Sequence, residues 1–77
     1  MNRQRRRQIE AIQSKLSEIA MDLQELSIDE QDAFDNMPES IQMSEKGDQM
    51  NEHVMDMDNA AAEVETVAET LNEILEG

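Results

Sequence analysis

Cysteine, tryptophan and tyrosine are absent from this 77-residue chain, and Phe34 is its only aromatic residue. Without thiols, no disulfide or thiolate metal site can brace the fold, and the redox state of its compartment is left open. Without aromatics, any core must be aliphatic, which at this size favours helices over sheets. Breaks are scarce as well. One proline, Pro38, and two glycines, Gly47 and Gly77, leave room for one or two interruptions in a composition rich in Glu, Gln, Met, Ala and Leu. No apolar run approaches the ~20 residues needed to span a bilayer. The basic opening MNRQRRRQIE is not followed by the apolar stretch of a signal peptide. A cytoplasmic protein without membrane contact is therefore expected.

Positive charge is the other scarcity. Six Lys and Arg against 19 Asp and Glu give a formal net charge of −13. Such a surface is drawn to cationic partners and repels phosphates, so direct nucleic-acid binding is not expected. High charge with few aromatics also suits disorder, which leaves the hydrophobic pattern to decide.

The pattern is helical. Ile9, Ile12, Leu16, Ile19, Leu23 and Leu26 recur at intervals of 3, 4, 3, 4 and 3, the spacing of a helix that buries a narrow stripe. Continued, the frame meets Glu30, Ala33 and Met37, with Phe34 beside them, so the stripe weakens where a turn is expected. Pro38 disfavours helical geometry at Met37. Ser27 with Glu30 matches a capping box, but the periodicity running through them predicts a continuous helix on which both are solvated.

A second stripe, Met43, Gly47, Met50, Val54, Met57, Ala61, Val64, Ala68, Leu71 and Leu75, alternates intervals of 4 and 3 without a slip. Ser40 or Ser44 could cap its start. Gly47, Ala61 and Ala68 are small and lie on one side, which would let another helix approach closely. His53, Ala60, Val67 and Ile74 form a flanking row that widens the stripe and calls for more than one partner helix. The expected fold is all-α: one antiparallel helical-hairpin domain over residues 1–77, with helices at about 3–36 and 44–75 and a turn at about 37–43. A homodimer forming a four-helix bundle follows, with Ile12, Leu16, Ile19, Leu23, Val54, Met57, Val64 and Leu71 in its core. Arg3, Arg5, Arg6 and Arg7 sit at the positive end of the first helix dipole, and Glu69, Glu73 and Glu76 at the negative end of the second. A hairpin sets the two clusters side by side to neutralise each other.

Three groups of residues invite a functional reading. Met50, His53 and Met57 can share one helical face, and thioethers with imidazole would suit a soft ion such as Cu(I); the heptad already explains both methionines, so they are read as seam and no metal or cofactor is expected. The arginines near a helix N-terminus could hold a phosphate or nucleotide. Asp22, Asp29, Asp32, Asp35, Glu45, Asp48, Glu52, Asp56 and Asp58 cluster toward the turn, giving the molecule one strongly anionic end. No nucleophile with its base, zinc-type histidine pair or glycine-rich phosphate loop is present, and no enzyme is expected.

The stretch EQDAFDNMPESIQMSEKGDQM, Glu30 to Met50, preceded by a basic start and a Leu/Ile heptad, resembles a group of short acidic helical proteins of bacteriophages and prophages. The sharpest part is Phe34-Asp35-Asn36-Met37-Pro38-Glu39-Ser40, followed by Ser44-Glu45 and Gly47. The tail here is more Met-rich than the Glu- and Ala-rich heptads usual in the group, and it carries Thr66 and Thr70. The resemblance implies a phage accessory protein in the host cytoplasm and supplies no catalytic residue. Two function classes fit that setting. One is an acidic interaction module that occupies a basic, often nucleic-acid-binding, surface of a host or phage protein as an inhibitor or DNA mimic. The other is an oligomer that sequesters a phosphate ligand with Arg3–Arg7. A purely structural assembly protein is a third.

Overall fold

The computed structural model describes all 77 residues as three helices without strands: α1 Arg3–Asp35, α2 Glu39–Gln42 and α3 Glu45–Glu76. The chain is an all-α helical hairpin in which α1 and α3 pack antiparallel along their length, a rod of 59 × 14 × 12 Å. Asn2 caps α1, its Oδ1 accepting from Arg5 N at 2.8 Å, which satisfies one of the amides a helix start leaves free.

Asn36, Met37 and Pro38 break the chain as the pre-proline restriction requires. Asn36 Nδ2 donates to Asp32 O at 2.9 Å, and Gln42 Nε2 reaches back to Phe34 O at 2.8 Å, so the last carbonyls of α1 are satisfied from the turn itself. The expected turn thus contains one helical turn of its own, α2. Ser44 occupies the N-cap of α3, but its hydroxyl donates to Ile41 O and makes no capping bond to α3. Gly47 is buried where α3 crosses the end of α2, and a Cβ there would lie 2.6 Å from the Gln42 carbonyl carbon, inside contact distance of the backbone. Close approach, rather than backbone freedom, explains this glycine. Met43 does not join the seam: it is 78% exposed, because it caps α2 and precedes the first turn of α3.

The register follows from three bonds. Arg6 Nη2 donates to Leu75 O at 2.6 Å, Gln13 Nε2 to Ala68 O at 3.2 Å and Ser27 Oγ to Val54 O at 3.4 Å. Each pair of residue numbers adds to 81, and the same rule places Ala20 opposite Ala61 and Phe34 opposite Gly47. Ala20 and Ala61 are each 1% exposed and mark the closest approach of the helices. Where the helices lie close, the Val54 and Ala68 carbonyls accept from α1 side chains on their second lone pair while the helical bond persists.

This register corrects the α1 seam. The inward rows are Ile9, Leu16, Leu23, Glu30 and Met37 together with Gln13, Ala20, Ser27 and Phe34. Ile12, Ile19 and Leu26, which the sequence places on the same apolar stripe as Leu16 and Leu23, are left outside the hairpin contact, 49%, 47% and 55% exposed. The apolar stripe of α1 is three rows wide, and one facing helix covers only two. The small residues of α3 select the row with Ala20, because only there can the backbones close and the polar side chains reach carbonyls. Ser27, expected to be solvated, is buried, and α1 runs through it unbroken. The α3 stripe from Gly47 to Leu75 does line the seam.

Candidate functional site

The two long edges of the rod differ. Along one, Gln24 Nε2 donates to Glu65 Oε1 at 3.3 Å, and a shallow groove runs between Gln13, Ser17 and Met21 of α1 and Glu65, Glu69 and Asn72 of α3. Along the other, His53 Nδ1 lies 3.2 Å from Glu30 Oε2, the only ion-pair contact in the molecule and one that carries charge on both sides only when His53 is protonated. That second edge carries Ile12, Ile19, Leu26 and Ala33 of α1 beside Ala60, Val67 and Ile74 of α3.

Negative charge is distributed by half rather than by edge. The half around the turn, residues 20–58, holds twelve of the 19 acids against Lys46 alone, while the half with the termini holds seven acids and the other five bases. Asp22, Asp29, Asp32, Asp35, Glu45, Asp48, Glu52, Asp56 and Asp58 are all exposed. They do not share one face; they coat the outward sides of both helices, as a hairpin with an apolar seam requires. Their densest run is on α1, where Glu18, Asp22, Glu25, Asp29 and Asp32 follow one another at intervals of 4, 3, 4 and 3, a straight ridge of carboxylates about 5 Å apart along the axis. Glu18 and Glu25 were not among the residues singled out from the sequence. The signal was available, since the ridge is the outward counterpart of the apolar heptad. Glu45 and Asp48 lie in the first turn of α3, where the helix dipole favours them.

The arginines do something other than neutralise Glu69, Glu73 and Glu76, for none comes within ion-pair distance of a carboxylate. Arg6 instead donates to Leu75 O, one of the last carbonyls of α3, which no helical amide reaches. A capped helix end holds a long side chain in place; an exposed ion pair gains too little to do so. Arg3, Arg5 and Arg7 are exposed on the first turns of α1. Met50 and Met57 lie half-buried in the seam, and His53 sits at its edge turned to Glu30. No three His, Asp or Glu side chains converge as a metal site would require, and no helix is long and apolar enough to cross a membrane.

Comparison with known proteins found no matching family model, no matching curated protein and no matching solved structure.

Proposed function

We propose that this protein is an acidic interaction module that occupies a basic surface of another protein, nucleic-acid-binding surfaces included, and so acts as an inhibitor or DNA mimic. One observation carries the reading: twelve carboxylates and a single lysine on one half of a 59 Å helical rod. A row of carboxylates fixed on a helix presents charge at regular spacing, as a phosphate backbone does, and its field accelerates encounter with a cationic partner at low salt. The resemblance of the turn region to short phage and prophage proteins supports a host-cytoplasmic setting, with a host or phage protein as the partner.

The test is binding to a panel of DNA-binding proteins across a salt series, with DNA displacement as the readout. Affinity should fall steeply as salt rises, and the triple variant Asp32→Lys, Asp35→Lys, Asp56→Lys should no longer displace DNA while keeping its helical circular dichroism. Displacement unchanged in that variant, or unchanged by salt, rejects the mimic.

A further inference from the structure

We propose that the edge of the rod carrying Ile12, Ile19, Leu26, Val67 and Ile74 is covered by a second copy of this chain, turned end for end to complete a four-helix bundle. The proposal rests on a different observation from the acidic-module reading, an apolar edge rather than the acidic half, although it brings two members of the carboxylate ridge, Asp22 and Asp29, to the rim of the interface.

The hairpin leaves its large side chains unfinished. Its buried residues are Ala20, Ser27, Gly47, Ala61 and Ala68, and no large side chain is fully buried. Burial is therefore confined to the row of small residues. Leu16, Leu23, Met57, Val64 and Leu71 are only half-buried, and beyond them Ile12, Ile19, Leu26, Val67 and Ile74 stand 43–55% exposed. Because the helices are antiparallel, the flanking rows of both fall on this one edge. Between Ile12 and Leu26 the face formed is continuous, ending at the His53–Glu30 contact, unlike the scattered apolar residues a monomer normally shows. The whole edge, with its polar ends and rim, measures 59 Å by 14 Å, on the order of 800 Å², the share each partner gives to a standard stable interface. A single chain of this size is short of core, and a second copy supplies an identical aliphatic face.

Charge chooses the orientation. Hairpins packed with their turns at the same end would set the twelve-acid half against its duplicate. A two-fold axis crossing the rod near Glu18 and Ile19 sets that half against the arginine-bearing half of the other copy. On the rim of that arrangement Lys15 faces Asp22 and Gln8 faces Asp29, while Arg5 and Arg7 come to the level of Glu30 and Asp32. On the α3 side Glu63 approaches its own counterpart, a repulsion that is exposed and screened by salt. The outward row of Glu18, Glu25 and Asp32 stays uncovered.

Sedimentation equilibrium of the full chain should give twice its 8.8 kDa mass. The double variant Ile19→Gln, Val67→Gln should weaken association by at least on the order of 100-fold. The double variant Met21→Gln, Ile28→Gln, exposed residues off this edge, should change it less than about threefold. Because the chain has no cysteine, single cysteines report orientation cleanly. Gln8→Cys mixed with Asp29→Cys should give the mixed disulfide, whereas two Gln8→Cys chains stand about 30 Å apart and should not cross-link. A wild-type chain that sediments as a monomer at about 100 µM overturns the proposal and assigns the face to a different protein. A dimer unaffected by Ile19→Gln, Val67→Gln places the interface elsewhere, and a dimer without the mixed disulfide overturns the end-for-end arrangement.

Discussion

The two rows that α1 turns toward α3 are built on opposite principles. One row, Gln13, Ala20, Ser27 and Phe34, is small or polar for most of its length, lies at the closest approach of the helices and sends side-chain bonds to α3 carbonyls. The other row is aliphatic at Ile9, Leu16 and Leu23 before it reaches Glu30, and remains half-open. The small row fixes register and distance; the aliphatic row supplies apolar area and has more to give than α3 alone can cover. In a two-helix protein, therefore, the most hydrophobic stripe need not be the most buried one. Backbone proximity is set by the smallest residues, and the largest are displaced to the edge.

Enlarging the small row should have the greatest effect. Ala61→Leu inserts a side chain where Ala20 leaves no room, and the helices must separate along the rod. A loss of about 3 kcal/mol is expected, which for a chain of this size lowers the melting temperature by more than about 12 °C. Thermal melts by circular dichroism measure it. If Ala61→Leu is tolerated, the close contact is not what holds the hairpin.

Gly47→Ala tests the same principle at the turn. Alanine favours the helix by roughly 1 kcal/mol over glycine, but its Cβ would strike the Gln42 backbone, which cannot move without disturbing α2. A net loss of about 1–2 kcal/mol is expected in urea unfolding. A stabilised Gly47→Ala would mean that α2 shifts freely and is not a fixed part of the turn.

The polar members of the row should matter less. Gln13→Ala removes a bond to Ala68 O, and a loss of about 1 kcal/mol is expected. The same denaturation measurement checks it, and a loss equal to that of Ala61→Leu would mean that hydrogen bonds rather than proximity dominate this row.

These contrasts also explain how much of the molecule the sequence reveals. The helices and the α3 seam from Gly47 onward follow from spacing, because each is encoded by an uninterrupted run of intervals, and the break follows from the backbone restriction before Pro38. The α1 seam is not so readable. Ile9, Leu16 and Leu23 belong equally to a frame with Ile12, Ile19 and Leu26 and to one with Gln13, Ala20 and Ser27. Hydropathy favours the first, and the structure adopts the second. The deciding information lies on the other helix, in Gly47, Ala61 and Ala68, whose shortness rewards a small partner row and leaves carbonyls for Gln13 and Ser27. Arg6 is a similar case: its charge suggests the nearby glutamates, yet its bond goes to Leu75 O. The carboxylate ridge was half legible, since Asp22, Asp29 and Asp32 stand out near the turn while Glu18 and Glu25 join them only once the outward face is known.

Ser27→Ala should have the smallest effect and is the sharpest check on the division of roles. The hydroxyl's bond to Val54 O is long, at 3.4 Å, and near the limit at which such a contact contributes. Its removal leaves no orphan, because Val54 O lies inside α3 and keeps its helical partner. Alanine is the better helix former by a few tenths of a kcal/mol, and it would extend the tight packing already seen at Ala20. The two effects oppose and nearly cancel, so a change within about 0.5 kcal/mol is expected in chemical denaturation. A loss well above that would show that the serine is a stabilising contact in its own right. A neutral result would show that its shortness, and not its hydroxyl, is what the closest approach of α1 and α3 requires.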